Sequence, residues 1–315
     1  MKDFRLHSHA QHSRAVQNNG APHLRPTYQT TQFQNTSVER QRKATRRKSI
    51  IALAALAVFA ILVAVITTNI TQCQSSNLST AATPNVTVYE SPYDWDGMTE
   101  QNGRFVYSEN GEVKSQLGID VSELQGSIDW NAVAGDDISF AMVRLGNRGY
   151  TEGGLFADAN AQFNLDGAQA AGLECGAYFF SQATTVEEAQ EEADLALEQL
   201  NGRQLQLPVA FDHESIAEAN ARANNLDRET LTQCALAFCA RIQEGGYEVM
   251  IYGNRMDLLR YNLNELEGIP VWLAEYGQPH PTAQMDFVMW QFSGTGSVAG
   301  ILTTVDMNLR FTDAL

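Results

Sequence analysis

Nine residues, Leu207–Ser215 with the sequence LPVAFDHES, decide how the fold of this chain is interpreted. An apolar run typical of a buried strand ends there in two carboxylates, Asp212 and Glu214, with one residue between them. Alternate residues of a strand lie on the same face, so both acids are predicted to face one way and His213 the other. Acids also follow strands in ordinary solvated loops, and the rest of the sequence has to decide whether these two form a site.

Strand-like and helix-like segments alternate from Leu117 onward. Helical patterns with start and stop signals cover 156–172, 185–202 and 227–246, and the connections after Tyr252 leave little room for helices. Eight strands with helices among the earlier ones predict an α/β fold, a (β/α) barrel with an irregular second half, and a doubly wound sheet is the alternative. The candidate strands are 117–122, 140–146, 175–180, 207–214, 249–254, 270–276, 287–293 and 305–309.

Two further acids occupy matching places in other strands. Asp120 lies near the end of the first candidate strand, and Asp306 lies in the last. Because barrel active sites collect at the C-terminal ends of strands, these acids are predicted to converge with Asp212 and Glu214. Mutual repulsion and partial burial would raise at least one pKa, as a general acid requires. The same oxygens could instead bind a divalent cation, and spacing alone leaves that alternative open.

Aromatic side chains surround the same strand ends. Some are expected to be core residues, and the others would form a platform for sugar rings, whose C–H faces stack on apolar rings. Paired carboxylates and aromatics at a barrel mouth indicate glycoside hydrolysis. No glycine-rich phosphate loop or Walker-type lysine follows a strand, and no His/Cys cluster has zinc spacing. The aromatics are Tyr178, Phe180, Tyr252, Trp272, Tyr276 and Trp290.

The charge distribution divides the chain in two. The formal net charge is -16, with about +8 in residues 1–48 and -24 in the remainder. A strongly acidic main body argues against nucleic-acid binding, which requires a basic face.

An uncharged apolar run, Ile50–Ile66, predicts a transmembrane helix over residues 49–70. Three basic residues, 46–48, directly precede it, so the positive-inside rule places the N-terminus in the cytoplasm and the acidic body outside the cell. A cleaved signal peptide is the alternative, but its apolar region would be shorter, roughly 7–15 residues, and no clear cleavage site follows. Cys73 raises the alternative of a lipoprotein, although Gln72 is a poor residue before a lipidated cysteine.

These signals predict five segments. The linker is rich in Ser, Thr, Asn and Pro, and Asn-Gly at 110–111 between alternating runs indicates a hairpin. Cys175, Cys234 and Cys239 are interpreted as small buried apolar residues, because no motif joins a cysteine to a histidine. The segments are a disordered cytoplasmic tail over 1–48, the membrane helix over 49–70, an extracellular linker over 71–100, a β-hairpin over 101–116 and a catalytic domain over 117–315.

Several motifs between Leu117 and Phe311 together resemble glycoside hydrolase family 25, whose members are lysozymes of the N-acetylmuramidase type. The motifs, in chain order, are GIDVSELQGSIDW, GAYFF, LPVAFDHE, VMIYGN, VWLAEY, WQFSGTGSVAGI and VDMNL. The resemblance implies an irregular, flattened (β/α) TIM-like barrel. It also implies hydrolysis of the β-1,4 bond between N-acetylmuramic acid and N-acetylglucosamine in peptidoglycan, with retention and without a cofactor or metal.

The resemblance implies a role for each acid. Glu214 matches the general acid/base, Asp212 matches the carboxylate that orients or polarises the 2-acetamido group, and Asp120 and Asp306 match the other two acids. Whether the nucleophile is a carboxylate or the acetamido oxygen is left open, and the D-x-E spacing mildly favours the acetamido oxygen. Phe179 stands where many members carry a polar residue or histidine. The predicted substrate-binding residues are Tyr178, Phe180, Tyr252, Trp272, Tyr276, Trp290 and Gln291.

Three functions compete at this point. The first is a membrane-anchored muramidase that remodels the cell's own wall and binds peptidoglycan glycan strands. The second is a non-catalytic glycan-binding module on the same fold, against which the presence of all four acids argues. The third is a structural envelope protein whose tail recruits a cytoplasmic partner. The oligomeric state is left open.

Overall fold

The computed structural model describes residues 89–312 of the 315-residue chain. The tail predicted over 1–48, the membrane helix predicted over 49–70, Cys73 and most of the predicted linker lie outside the described residues. No helix within 89–312 has both the length and the apolar character needed to cross a membrane.

A small antiparallel sheet precedes the barrel. Its strands are β1 (Met98–Gln101), β2 (Arg104–Glu109) and β3 (Glu112–Val113). Both connecting turns are Asn-Gly pairs with positive φ at each residue, which matches the twist of a tight hairpin. The sequence predicts the second of these turns, at 110–111. The sequence does not predict the first turn, because β1 begins within the segment interpreted as a linker. The folded structure therefore starts before residue 101.

Eight strands then close into a barrel. Seven of them run parallel, whereas β12 is antiparallel to both of its neighbours, β11 and β4, and the pairing of β4 with β5 completes the circle. All eight predicted strands are barrel strands, so the (β/α) barrel is confirmed and the doubly wound alternative is wrong. A ninth strand, β6, pairs only with β5. In chain order the strands are β4 (Ser115–Val121), β5 (Phe140–Arg148), β6 (Leu155–Ala157), β7 (Glu174–Phe180), β8 (Val209–Asp212), β9 (Val249–Asn254), β10 (Val271–Ala274), β11 (Met289–Gly296) and β12 (Val305–Phe311).

Helices cover the outside of the early strands. Two of the three predicted helices, over 185–202 and 227–246, are confirmed nearly to their ends, because side-chain caps define their starts. Thr185 accepts a hydrogen bond from the backbone of Glu188, and Asp227 accepts one from that of Thr230. The helix predicted over 156–172 is shorter: it begins at Ala161 without a side-chain cap, and residues Leu155–Ala157 form a strand instead. The helices are α1 (Trp130–Ala134), α2 (Ala161–Ala170), α3 (Val186–Leu200), α4 (Arg228–Glu244) and α5 (Arg255–Leu258).

Strand alternation divides the core into two layers. On β8, Val209 and Phe211 point outward into the larger core under the helices, and Ala210 points into the barrel. The inner layer is closely packed: a Cβ added at Gly118 would lie 2.4 Å from the ring of Phe140. Side chains therefore fill the barrel below its mouth.

The cysteines of the described region, Cys175, Cys234 and Cys239, are buried and form no disulfide with one another. Burial raises the pKa of each thiol to about 12. These side chains therefore act as small apolar core residues.

We expect the N-terminal sheet to belong to the same folding unit as the barrel. Tyr107 on β2 is only 2% exposed, and its ring packs 5.5 Å from that of Phe311 on β12. Tyr107→Ala should lower the free energy of unfolding by about 3–5 kcal/mol, as removal of a buried aromatic does. The neighbouring Val106→Ala is the control, because Val106 is 41% exposed and should cost at most about 0.5 kcal/mol. Chemical denaturation measures both, and equal small losses would contradict the prediction.

Candidate active site

A cavity of about 240 Å³ opens at the C-terminal end of the barrel strands. Its lining contains all four predicted acids and six of the seven predicted substrate-binding residues. The sequence missed four other lining residues, Ser122, Leu124, Gln125 and Arg144. The convergence predicted from strand ends is therefore found, and the residues that share this cavity are Asp120, Asp212, Glu214, Asp306, Tyr178, Phe180, Tyr252, Trp272, Tyr276 and Gln291.

Strand register explains why the acids meet. Because β12 runs antiparallel to β4, its second residue, Asp306, pairs directly with Asp120 near the end of β4. Asp212 is the last residue of β8 and pairs with Tyr252 on β9. Glu214 follows two residues later, beyond the strand ladder. Three acids are thus fixed by backbone pairing, and the fourth is held by other contacts.

Asp120 is held by two side-chain amides. Its Oδ2 accepts hydrogen bonds from Gln291 Nε2 at 2.7 Å and from Asn308 Nδ2 at 2.8 Å. The Gln291 carbonyl in turn accepts from the hydroxyls of Tyr252, at 2.8 Å, and Tyr276. These donors fix which end of the Gln291 amide faces the carboxylate.

Asn308 is a site residue that the sequence analysis missed. It is fully buried on β12, and its Oδ1 accepts a hydrogen bond from Trp272 Nε1 at 2.8 Å. Trp272 therefore orients the Asn308 amide towards Asp120 through its indole N–H. The spacing of Asn308 two residues after Asp306 on the same strand face is the signal that could have identified it.

Burial raises the pKa of every acid in the cavity, and repulsion by other acids adds to the rise at Asp120, Asp212 and Glu214. Burial, then repulsion by Asp306, raises the pKa of Asp120 to about 8 despite its two amide donors. Burial, then repulsion by Asp257 and Asp306, raises the pKa of Glu214 to about 7. Burial and the charge of Glu214 raise the pKa of Asp212 well above its ordinary value. A carboxyl that keeps its proton near neutral pH can act as a general acid.

Glu214 is positioned by hydrogen bonds to the backbone on either side of its side chain. Its carbonyl accepts from Gln182 Nε2 at 3.0 Å. The next residue, Ser215, donates from its backbone N–H and its hydroxyl to Asp257 Oδ1, at 3.1 and 2.7 Å. Asp257 also accepts from Asn254 Nδ2 at 2.5 Å. Nothing in the sequence spacing signals these partners, because they come from different loops and helices.

Trp290 is the predicted binding residue that does not reach the cavity. On β11, Gln291 points into the barrel, so its neighbour Trp290 points out of it. The Trp290 ring is fully buried against Phe105 of β2, 4.9 Å away, and its Nε1 donates to the carbonyl of Glu275 at 2.7 Å. The prediction that Trp290 binds substrate is therefore wrong, and this residue joins the N-terminal sheet to the barrel.

Two other side chains near the acids also point away from the cavity. Phe179 is fully buried beneath α4, with its ring 6.2 Å from that of Phe238. The phenylalanine at this position, where many family members carry a polar residue or histidine, therefore removes no contact from the cavity. His213 lies beside Phe211 on the outer face, as alternation predicts. Burial lowers the pKa of His213 to about 4. The imidazole is therefore neutral near neutral pH and takes no part in the acid cluster.

Within residues 89–312, no three His, Cys, Asp or Glu side chains are arranged so that they could share a metal ion.

Known proteins with similar sequences and structures identify the family. The family model for glycosyl hydrolases family 25 matches residues 119–301. The autolytic lysozyme of Clostridium acetobutylicum is 28% identical over 192 residues, which are 61% of this chain and 54% of that protein. This chain thus spans about half the length of that relative.

Two solved structures are similar as well. A lysozyme from Streptomyces coelicolor is 27% identical with a TM-score of 0.51, covering 61% of this chain and 90% of that chain. The modular autolysin LytC from Streptococcus pneumoniae, solved with a synthetic peptidoglycan ligand, is 22% identical with a TM-score of 0.56. It covers 68% of this chain and 52% of its own, and at this identity it supports the fold alone. With more than half of its length matched by the family model, the chain belongs to glycosyl hydrolase family 25.

Proposed function

We propose that this protein is a peptidoglycan muramidase that hydrolyses the β-1,4 bond between N-acetylmuramic acid and N-acetylglucosamine. The observation that carries the proposal is the pair Asp212 and Glu214 in one aromatic-lined cavity at the barrel mouth, with the pKa of Glu214 raised to about 7. The lysozymes to which the chain is similar support the same substrate.

Glu214 is the proposed general acid. With a pKa of about 7, the carboxyl keeps its proton in mildly acidic solution, and about half of the molecules keep it at neutral pH, ready for transfer to the leaving glycosidic oxygen. After bond cleavage the resulting carboxylate takes a proton from the attacking water. The same group then serves both half-reactions, which a retaining mechanism requires.

Asp212 is the proposed partner of the 2-acetamido group. Asp212 lines the cavity and its side chain accepts no hydrogen bond from any described residue, so the carboxylate can accept one from the acetamido N–H. Burial and the charges of Glu214 and Asp120 raise the pKa of Asp212, whereas the Arg144 guanidinium lowers it. Protonation of Glu214 and Asp120 removes their repulsion and so favours the carboxylate form of Asp212. This contact would orient the acetamido oxygen for attack on the anomeric carbon, and water would then open the cyclic intermediate with net retention.

Asp120 and Asp306 are proposed to share one proton. Burial raises both pKa values, and a hydrogen bond from Asp120 partly offsets this rise at Asp306. The pair would carry about one negative charge beside the sugar ring. A fixed negative charge there stabilises the positive charge that develops on the ring in the transition state.

We also propose that residues 49–70 form a single-pass anchor, with the N-terminus cytoplasmic and the catalytic domain extracellular. The apolar run Ile50–Ile66 and the basic residues before it support this arrangement. An anchored muramidase of this kind would act on the wall of the cell that produces it.

Glu214→Gln tests the catalytic assignment. The substitution keeps the shape of the side chain and removes its proton donor, so turnover of peptidoglycan should fall by about 10²–10⁴-fold with folding intact. Glu218→Gln is the matched control, because Glu218 is exposed in the same loop and does not line the cavity. Mass spectrometry should find new reducing-end N-acetylmuramic acid for the control and the unmodified protein. Near-normal turnover by Glu214→Gln would make Asp120 or Asp306 the next candidate.

Asp257→Asn tests the electrostatic control of Glu214. The negative charge of Asp257 raises the pKa of Glu214, so its removal should lower that pKa. Because Glu214 acts in its protonated form, the alkaline limb of the pH profile of kcat/KM should move to lower pH. The asparagine oxygen can still accept from Ser215, so a purely structural role would leave this limb in place. Asp286→Asn, at the opposite end of β11, is the control and should not move it.

The anchor is tested on cells from which the wall has been stripped. Added protease should remove the extracellular body and spare residues 1–48, because the membrane protects the cytoplasmic tail. Immunodetection of tags at each terminus measures the outcome. Release of a soluble form beginning near residue 70 would show that the apolar run is a cleaved signal peptide instead.

A further inference from the structure

The ninth strand extends the sheet beyond the mouth of the barrel. The first half of β5 pairs with β4, from Phe140 to Val143. Its last residues pair instead with β6, through Gly146↔Ala157, Asn147↔Phe156 and Arg148↔Leu155. β6 therefore occupies the edge of β5 where β4 has ended, and it continues the wall of the cavity outward.

Register places a row of side chains on the inner face of this wall. Asp212 in the cavity pairs with Phe180 on β7, Phe180 pairs with Asn147 on β5, and Asn147 pairs with Phe156 on β6. Residues opposite one another in adjacent strands share a face. With neighbouring strands ~4.8 Å apart, the row extends about 14 Å from Asp212 to Phe156.

A bulge in β5 is what puts Asn147 on this face. Arg144 lines the cavity, and three residues further along a regular strand the side chain would point to the opposite side. The register shifts between Arg144 and Gly146, so Asn147 returns to the cavity side. The next residue, Arg148, points away, and its Nε donates to Glu192 at 2.8 Å on the helical side.

Phe156 presents a preformed apolar surface at the end of the row. Phe156 is 57% exposed, although its neighbour Leu155 packs against the core. Two glycines support the ring: a Cβ at Gly154 would lie 3.2 Å from it, and one at Gly149 would lie 3.5 Å from it. The aromatic ring therefore lies close to bare backbone and keeps much of its surface open to solvent.

Asn147 lies beside this ring and has a polar side chain that could hydrogen bond to a sugar. Its side chain is half-buried and hydrogen bonds to none of residues 89–312. A side-chain amide can donate to a carbonyl oxygen and accept from an N–H, which are the two polar groups of an acetamido substituent. An apolar ring next to a free amide matches a hexosamine that has a C–H face and an N-acetyl group.

We propose that Asn147 and Phe156 form a remote subsite for an N-acetylated hexosamine ring of the glycan strand that occupies the cavity. The inference rests on the proposed function, since its ligand is the same polymer. Two observations support a glycan strand as the occupant. The row of side chains begins at Asp212 and Phe180, which line the cavity. The cavity volume of about 240 Å³ is also too small to enclose a long glycan strand, so part of the strand has to lie outside it. The subsite binds the strand away from the bond that is cut.

Kinetics on peptide-free glycans of two lengths test the subsite in the full-length protein. Phe156→Ala should lower kcat/KM on an octasaccharide by roughly 2- to 12-fold, the effect of losing one aromatic contact, through KM alone. Its kcat and its activity on a tetrasaccharide should not change, and Phe156→Trp should restore the preference for length. Phe163→Ala is the matched control, because Phe163 is 49% exposed on α2 and does not line the cavity.

Three outcomes would overturn the subsite: an unchanged octasaccharide KM in Phe156→Ala, equal losses on both lengths, or a loss confined to strands that carry stem peptides. Failure of the proposed function gives a different result, because the unmodified protein would then cleave neither length. Calorimetry of octasaccharide binding to Glu214→Gln, with and without Phe156→Ala, still tests the subsite in that case. Weaker binding by the double variant supports the subsite, and equal binding overturns it.

Discussion

The cost of burying like charges together is the constraint on which this structure depends. Four carboxyl groups line one cavity of about 240 Å³, where little water is available to screen their repulsion. The fold tolerates them in two ways. Some remain protonated, as the raised pKa values of Asp120 and Glu214 indicate, and Asp120 receives two amide donors. Repulsion between the carboxylates lowers the stability of the fold, and it also raises their pKa values. A general acid has to be protonated before it can donate, so the same repulsion meets a requirement of catalysis.

Strand pairing positions three of these acids, and contacts from other elements position the fourth. Three of the acids lie within strands, where backbone pairing fixes their register; they are Asp120, Asp212 and Asp306. Glu214 lies beyond the ladder and depends on side chains from other elements, chiefly Gln182 and Asp257. The proposed general acid is thus the acid with the least rigid support. The three acids proposed to act around the sugar ring have the most rigid support.

Periodicity predicted much of this arrangement from the sequence. The period of two in LPVAFDHES placed Asp212 and Glu214 on one face and His213 on the other, and the strand ends identified all four acids. The same rule, applied to β11, would have shown that adjacent residues cannot both face the cavity. Trp290 and Gln291 were nevertheless both predicted to bind substrate, and only the β2 contact through Phe105 shows which one points outward. The roles of Asn308 and Asp257 depend on register and on packing between distant segments, which no local pattern reports.

Irregularities in the strand pairing decide which side chains extend the cavity wall beyond the mouth of the barrel. In a uniform barrel β5 would pair with β4 along its whole edge, and Asn147 would face the helices. The bulge between Arg144 and Gly146 reverses that side chain, and the end of β4 leaves an edge that β6 can occupy. Bulges beside active sites commonly re-aim one side chain in this way. Because a single inserted residue changes the face of every residue after it, the alternation that predicts the core also predicts the wrong face from this point onward. Irregular segments of a regular fold are therefore where sequence patterns are least informative and where new binding surface can be added without disturbing the core.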